Sequence, residues 1–256
     1  MAENNWLQDR HALITGGGTG IGAAVATHLH AAGAKISVLG RRVEPLQHIA
    51  SITQGAAIQC DVTDRDAIIR AFDKARAANG PIGFLIVNAG IGDSAPFGRT
   101  PREAWDRIIA TNLTSAFDCA QAALPDLLDQ EDGRMIFVAS VAGLKGAAYA
   151  APYAASKHGM VGLMRSLAAE FAESNMTVNA VCPSFVDTPM VDDSAARISR
   201  VSKRSEEEAR QALAAMNKHG RLVHPDAVAT MVLTLCLPQS RDVNGAAITI
   251  DGGTTA

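Results

Sequence analysis

Tyr153 and Lys157 stand four residues apart in the stretch YAASK, directly after Pro152. Proline is favoured in the first turn of a helix, and the Ala-rich run that follows predicts a helix with both side chains on one face. A free tyrosine has a pKa of roughly 10, and a nearby ammonium lowers it by favouring the phenolate. The pair could therefore pass a proton to or from an oxygen atom. Ordinary helices also show this spacing, so an exposed helix face is the alternative.

A glycine-rich turn, GGGTGIG, lies near the N-terminus between an apolar run at 11–15 and a second one at 34–39. Strand, turn, helix and strand in this order form a βαβ unit of the nucleotide-binding type. We expect Gly16 to permit the sharp turn, Gly20 to let the backbone approach a pyrophosphate, and Gly22 to let the helix pack closely on the sheet. A plain tight turn is the alternative.

Basic residues follow the second predicted strand, where Gly40 leads into Arg41 and Arg42. An acid at this point would bind the ribose 2′-hydroxyl of NAD, whereas an arginine accommodates the 2′-phosphate of NADP. The sequence therefore favours NADP(H). NAD(H) remains possible if the two arginines form only a solvated basic turn.

Strands alternate with helices along the chain. Further strands are predicted at 56–60, 84–87, 134–139, 176–181 and 246–250, with helical runs at 64–78, 101–129, 154–171, 191–218 and 226–237. This alternation predicts an α/β protein with a single-domain Rossmann fold, in which helices cover both faces of a doubly wound parallel sheet of about seven strands. We expect one NAD(P)-binding domain over 1–256, with a substrate lid at about 190–216.

Residues with small or polar side chains follow predicted strands within one or two positions: Gly16, Arg41, Asp61, Asn88, Ser140 and Pro183. Ligands of open parallel sheets bind beyond the carboxyl ends of the strands, so these residues should share one site. Asn112 stands in the middle of a predicted helix, where its side chain competes for backbone hydrogen bonds. The ordinary alternative for such an asparagine is an exposed or locally bonded side chain.

Composition argues against several functions. The 256 residues are 48% hydrophobic and 19% charged, as in folded proteins, and the net charge of −3 points neither to nucleic acid nor to an anionic membrane. The stretch MAENNWLQDR has no signal-peptide pattern, and apolar runs stay shorter than the roughly 18 residues of a membrane span. We expect a cytoplasmic protein.

The histidines show no metal-ligand pattern, so no metal is predicted, and buried free thiols are expected at Cys60, Cys119, Cys182 and Cys236.

These motifs stand in register as Thr15-Gly16-x-x-x-Gly20-Ile21-Gly22, Asp61-Val62, Asn88-Ala89-Gly90, Asn112, Ser140, Tyr153-x-x-x-Lys157, and Pro183 with Thr188. The set resembles the short-chain dehydrogenase/reductase family, in its single-domain form, over essentially the whole chain. The resemblance implies an NAD(P)(H)-dependent oxidoreductase that interconverts a ketone and a secondary alcohol. A homotetramer is usual in that family and is expected here.

The resemblance also implies a role for each catalytic residue. Tyr153 would be the general acid in reduction and the base in oxidation, and Ser140 would fix the substrate oxygen. Lys157 would lower the Tyr153 pKa and bind the nicotinamide ribose, while Asn112 would hold the water of a proton relay. The implied cofactor-binding residues are Gly16, Gly18, Thr19, Gly20, Ile21, Gly22, Arg41, Arg42, Asp61, Val62, Asn88, Ala89, Gly90, Tyr153, Lys157, Pro183, Val186 and Thr188.

Two positions depart from the family pattern. Ser184 replaces the glycine that usually follows the proline, which puts the backbone shape near the nicotinamide in question. Thr19 stands where many NADP(H)-binding members carry a basic residue, so Arg41 would bind the phosphate nearly alone.

Candidate pocket residues are mostly small or apolar, at 91–97, 142–144, Ala147, Ala150 and Val186, which suits an uncharged or acyl ketone. Segment 214–223 is similar to 3-oxoacyl-thioester reductases of the family, but the acids at 126–132 would repel an acidic carrier protein. We expect a 3-oxoacyl-CoA or 3-hydroxyacyl-CoA type of substrate, with a small free ketone, cyclic alcohol or sugar as the alternative. A non-catalytic nucleotide-sensing protein is the competing class.

Overall fold

The computed structural model describes residues 6–256 and arranges them around one parallel sheet; residues 1–5, half of the stretch examined for a signal peptide, lie outside the described part. The strands are β1 (His11–Thr15), β2 (Lys35–Gly40), β3 (Ala56–Gln59), β4 (Phe84–Val87), β5 (Arg134–Val138), β6 (Thr177–Pro183) and β7 (Ala247–Ile250). Their order is β3-β2-β1-β4-β5-β6-β7, and all neighbours pair in parallel. The predicted fold class is confirmed.

Helices cover both faces of this sheet. They are α1 (Gly20–Ala31), α2 (Val43–Thr53), α3 (Arg65–Asn79), α4 (Arg102–Ile109), α5 (Ser115–Leu128), α6 (Ala151–Glu170), α7 (Pro189–Val201), α8 (Glu206–Ala214) and α9 (Pro225–Cys236). One apolar core joins the sheet to α3, α5 and α6, and a second joins the opposite face to α1, α2 and α9. The continuous burial of β4 and β5 follows from this double cover.

The order in which successive strands are placed in the sheet reverses between β1 and β4. From β1 to β3 the strands extend toward one edge, and from β4 to β7 they extend toward the other edge. β1 pairs with β2 on one side and with β4 on the other, so the turns after β1 and β4 diverge from each other. A crevice opens at such a switch point, beyond the carboxyl ends of the strands. The glycine-rich turn after β1 and the Asn88 segment after β4 both lie there.

Two predicted helices are divided in the structure. The helix expected over 101–129 contains a wider π-helical turn at Ala110–Thr114 between α4 and α5. The helical run expected over 191–218 forms α7 and α8, because Ser205 begins a new helix through a capping box with Glu208. α2 was absent from the prediction, although its buried residues Leu46, Ile49 and Thr53 follow helical spacing.

The four cysteines are buried free thiols, as predicted. Across residues 6–256, no helix combines the length and the apolar character needed to cross a bilayer.

Candidate active site

The glycine-rich turn has the geometry expected of a pyrophosphate cradle. Gly16 and Gly20 adopt left-handed φ angles of +65° and +55°, which favour glycine. A Cβ atom at Gly22 would overlap the Gly16 carbonyl oxygen, so only glycine lets α1 approach the turn this closely. α1 begins at Gly20, immediately after Thr19, and Ile21 packs on the core below. The N-terminus of α1 therefore faces the crevice, where a pyrophosphate would fit.

The Asn88 side chain hydrogen-bonds to the backbone of this turn. Its Nδ2 donates to the carbonyl oxygens of Thr15 at 3.0 Å and Gly16 at 3.1 Å. The Thr15 hydroxyl in turn accepts from the backbone N–H groups of Asn88 and Ala89, each at 3.0 Å. These bonds hold the carboxyl ends of β1 and β4 together, and the Asn88 amide is directed toward the protein backbone.

A cleft of about 330 Å³ continues from the turn. It is lined by Gly16, Gly18, Thr19, Gly40, Arg41, Arg42, Pro45 and Leu46. Both arginines are exposed at its edge, so their guanidinium groups could meet a phosphate. Pro45 and Leu46 were missed from the sequence because α2 was not predicted, and the helical spacing of Leu46 and Ile49 was the available signal.

Asp61 and Val62 lie at the end of β3 with different surroundings. The Asp61 carboxylate accepts from the backbone N–H and the hydroxyl of Thr63, at 3.0 and 2.8 Å. These hydrogen bonds lower its pKa, and the charge of Arg41 adds to the effect. Val62 is buried in the core. Asp61 is thus a fixed, ionised acceptor near the arginine edge of the cleft.

Ser140, Tyr153 and Lys157 converge beyond the carboxyl end of β5. The Ser140 hydroxyl accepts from the Ala142 N–H at 3.1 Å, and its side chain lies within reach of Tyr153, whose pKa it lowers. Lys157 is 4% exposed, and its Nζ lies 5.8 Å from the centre of the Tyr153 ring. Pro152 stands in the first turn of α6, as predicted. Three of the four predicted catalytic residues are therefore brought together.

The pKa of Tyr153 differs from the expectation. Burial raises it above its usual value, and the hydrogen bond with Ser140 opposes that rise. Burial also lowers the Lys157 pKa to about 8, and Nζ donates to the Val138 carbonyl oxygen at 2.9 Å. Lys157 is not among the causes of the Tyr153 shift, since its ammonium is directed at the end of β5, and the lowering of the Tyr153 pKa by Lys157 stays a prediction.

Asn112 lies in the π-helical turn and is fully buried. Its Oδ1 accepts from the Ile91 N–H at 2.8 Å, and its Nδ2 donates to the Ile91 carbonyl oxygen at 2.9 Å and to the Ser156 hydroxyl at 3.0 Å. The alternative of an exposed or locally bonded side chain is excluded. Gly90 packs between Asn112 and Lys157, since a Cβ there would lie 3.3 Å from Oδ1 and 3.7 Å from Nζ.

Ser156 was not singled out from the sequence. It lies between Tyr153 and Lys157 on α6, and a buried serine inside a helix was the available signal.

The segment after β6 closes the other side of the crevice. Pro183 ends β6 beside Ile250 of β7, and Val186 forms a bridge with Val223. Thr188 precedes α7 and lies against the glycine-rich turn, about 3.0 Å from where a Cβ of Gly20 would stand.

The unusual Ser184 has a structural explanation. Its hydroxyl donates to Oδ1 of Asn217, whose side chain is fully buried. The Asn217 Nδ2 donates to the carbonyl oxygens of Phe185 at 3.0 Å and Arg221 at 2.7 Å. A serine at 184 thus helps to hold the start of the 184–188 segment to the chain that follows α8.

α7 and α8 form a small unit on an apolar cluster of Val191, Ala195, Ala209 and Leu213. α7 contacts the loop after β4. Arg197 donates to the Gly92 carbonyl oxygen at 3.2 Å and lies 3.4 Å from the Asp93 carboxylate, which also pairs with Arg107 of α4 at 3.0 Å. Among the candidate pocket residues, Phe97 is 82% exposed and lies mostly in solvent.

Comparison with known proteins identifies relatives along the whole chain. It is 37% identical to the 3-oxoacyl-(acyl-carrier-protein) reductase MabA of Mycobacterium tuberculosis, covering 95% of this chain and 92% of MabA. It is 36% identical to D-beta-hydroxybutyrate dehydrogenase of Cupriavidus necator, covering 98% and 99% of the two chains. It is 34% identical to cis-4-hydroxycyclohexanecarboxylate dehydrogenase of Sinomonas cyclohexanicum, covering 97% of each.

A solved structure supports the same relationship. A variant of actinorhodin polyketide ketoreductase with NADPH superposes with a TM-score of 0.91 at 33% identity, covering 96% of this chain and 97% of that one. The sequence profile of the family described as short chain dehydrogenase matches residues 10–199. The chain therefore belongs to the short-chain dehydrogenase family.

Proposed function

We propose that this chain is an NAD(P)(H)-dependent oxidoreductase that interconverts a ketone and a secondary alcohol by hydride transfer. The observation that carries the proposal is the convergence of Ser140 and Tyr153 beside the buried Lys157, next to a glycine-rich turn shaped for a pyrophosphate. A bound nicotinamide cofactor would supply or accept the hydride. The side chains of this chain would bind, orient and protonate the substrate.

In reduction, the carbonyl oxygen gains negative charge as the carbon accepts the hydride. Ser140 donates a hydrogen bond to that oxygen, and Tyr153 delivers the proton that completes the alcohol. The raised Tyr153 pKa keeps the phenol protonated near neutral pH, so the proton donor is ready before the substrate arrives. In oxidation the same proton returns to Tyr153. Lys157 and Asn112 complete the catalytic set.

We propose NADP(H) as the preferred cofactor, with NAD(H) possible. The turn at Gly16, Gly18, Thr19, Gly20, Ile21 and Gly22 would hold the pyrophosphate, and Arg41 with Arg42 would pair with the 2′-phosphate. The exposed guanidinium groups at the edge of the cleft support this assignment. Asp61 and Val62 would lie near the adenine. The nicotinamide end would meet Asn88, Ala89, Gly90, Tyr153, Lys157, Pro183, Val186 and Thr188.

For the substrate we propose a 3-oxoacyl-CoA or 3-hydroxyacyl-CoA type of thioester. The name of MabA, a 3-oxoacyl-(acyl-carrier-protein) reductase, supports a 3-oxoacyl thioester, and the acids at 126–132 of this chain favour CoA over an acidic carrier protein as its thiol. A small free ketone, a cyclic alcohol or a sugar is the second candidate, and the relative that acts on a hydroxycyclohexane carboxylate favours it. α7 and α8, within the predicted lid at 190–216, would cover the substrate, because α7 contacts the loop after β4.

We further propose a single functional domain over 1–256, a homotetramer and a cytoplasmic location. A non-catalytic nucleotide sensor is the competing function. The convergence of Ser140 and Tyr153 on the buried Lys157 speaks for an enzyme, since a sensor has no use for a proton donor beside its nucleotide.

The deciding experiment measures initial rates of NADPH and NADH oxidation by the purified protein with acetoacetyl-CoA, followed by a panel of free and cyclic ketones. Tyr153→Phe should lower kcat by about a hundredfold or more and leave NADPH binding, followed by fluorescence, nearly unchanged. Tyr149→Phe is the matched control, because Tyr149 is 67% exposed. Turnover of no ketone by the parent protein, or full activity of Tyr153→Phe, would contradict an oxidoreductase that uses this tyrosine.

A further inference from the structure

We propose that Ser156 is a positioning residue for the reaction: its hydroxyl couples Asn112 in the π-helical turn to the turn of α6 that carries Tyr153. The inference rests on the proposed function, because it assigns Ser156 a role in placing the proposed proton donor. It adds a residue outside the set of Asn112, Ser140, Tyr153 and Lys157.

The hydrogen bonds around Ser156 form a continuous path. Ser156 is fully buried, and its hydroxyl donates to the Tyr153 carbonyl oxygen at 2.7 Å. The same hydroxyl accepts from Nδ2 of Asn112 at 3.0 Å. Asn112 in turn makes two bonds to the backbone of Ile91, in the loop after β4. The path therefore joins the loop after β4, the π-helical turn and α6.

Every side-chain proton that Ser156 and Asn112 can donate is hydrogen-bonded on this path. A hydroxyl has one proton to donate, and the one of Ser156 goes to Tyr153, which leaves a lone pair for Asn112. An amide NH₂ has two protons, and those of Asn112 go to Ile91 and Ser156. Neither side chain can rotate without leaving a polar group unpaired in the interior, so the path fixes the first turns of α6 against the loop after β4.

Ser115 provides a natural comparison. It is also a buried serine, with 3% exposure, and its hydroxyl donates to the Thr111 carbonyl oxygen one helical turn earlier, at 2.6 Å. Its side-chain bond stays within the continuous helical run of α4, the π-helical turn and α5, whereas the Ser156 hydroxyl joins α6 to that separate run. Replacing each serine by alanine removes the same atoms, but only at 156 does the change break a link between two separate helical runs.

The first test uses the protein without substrate or cofactor. The sequence contains two tyrosines, so Tyr149→Phe leaves Tyr153 as the sole tyrosine, and phenolate absorbance then reports its titration alone. Ser156→Ala should raise the Tyr153 midpoint, because a looser α6 turn weakens the hydrogen bond from Ser140 that opposes the rise caused by burial. The titratable neighbours of Tyr153, Lys157 and Cys182, are the same in all variants.

Ser115→Ala should leave the Tyr153 midpoint equal to that of the Tyr149→Phe parent. Asn112→Ala should raise the midpoint as Ser156→Ala does, and the double variant should add nothing, since both changes break one path. An unchanged midpoint in Ser156→Ala, or an equal rise in Ser115→Ala, would overturn the inference.

The second test is kinetic and uses NADPH with acetoacetyl-CoA or the best ketone of the panel. Ser156→Ala should lower kcat by about tenfold or more and change the KM for NADPH by less than about twofold, because misplacing the proton donor slows the chemical step. Ser156→Thr, which keeps a hydroxyl able to bond a carbonyl one turn earlier, should restore kcat. Equal losses in Ser115→Ala and Ser156→Ala would reduce Ser156 to a stabilising role. A parent without turnover would count against the proposed function alone, since the titration needs no substrate.

Discussion

The Lys157 ammonium donates a hydrogen bond to the Val138 carbonyl oxygen over 2.9 Å, which anchors the lysine of α6 to the end of β5. Its charge is buried at 4% exposure, and burial lowers its pKa to about 8. The lysine is thus held in place at the cost of a buried charge, and this cost makes the protein's stability depend on pH.

The free energy of unfolding of the parent protein, relative to that of a Lys157→Met variant, should rise between about pH 8 and pH 10.5. In this range the unfolded chain holds the Lys157 proton and the folded protein has released it, so the free energy of unfolding increases with pH. The shift from 10.5 to about 8 corresponds to about 3 kcal/mol across the range. Urea unfolding of both proteins at several pH values measures the difference. A difference that stays flat or falls would show that the buried ammonium is not destabilising.

Arg41→Glu should reverse the cofactor preference. The ratio of kcat/KM for NADPH to that for NADH should fall by about ten- to a hundredfold, because a charged hydrogen bond to the 2′-phosphate is lost and a repulsion is added. Lys74→Glu makes the same change of charge on the exposed face of α3 and should leave the ratio unchanged. Steady-state rates with both cofactors provide the measurement. An unaltered ratio in Arg41→Glu would mean that the arginines at 41 and 42 form only a solvated turn.

Arg197→Met should raise the KM for the ketone by about two- to fivefold, because the partly exposed pair with Asp93 holds α7 on the loop after β4. High salt should bring the parent toward the variant, since about 1 M salt screens charges beyond about 3 Å. Arg200→Met, at an exposed position one turn further along α7, is the control. Equal KM values for the Arg197→Met variant and the parent would argue against a lid held by this contact.

Gly22→Ala should destabilise the protein by about 1–3 kcal/mol, because the added Cβ overlaps the Gly16 carbonyl oxygen at the start of α1. Gly162→Ala on α6 should do the opposite. A Cβ at 162 meets nothing within 4 Å among the described residues, so alanine should stabilise the helix by about 0.4–1 kcal/mol. Urea unfolding of both variants gives the values. A neutral Gly22→Ala would refute the close approach of α1 to the turn.

Much of the fold was readable from local patterns. The apolar runs at 11–15 and 84–87 correspond to β1 and β4, and the helical run expected at 64–78 corresponds to α3, which Asp64 caps by accepting from the Ala67 N–H. The pattern failed where neighbouring elements override it. The helix over 101–129 widens at Asn112, whose side chain bonds to Ile91, and no local propensity encodes that partner.

The sequence by itself determined the alternation of strands and helices, the glycine-rich turn and the register of Ser140, Tyr153 and Lys157, because these depend on residue type and spacing within one element or its neighbour. Only the tertiary structure decided that Asn112 reaches Ser156, that Lys157 is directed to Val138, and that burial raises the Tyr153 pKa. Those properties depend on which elements the sheet brings together and how much water it excludes between them, and neither quantity is written in local spacing.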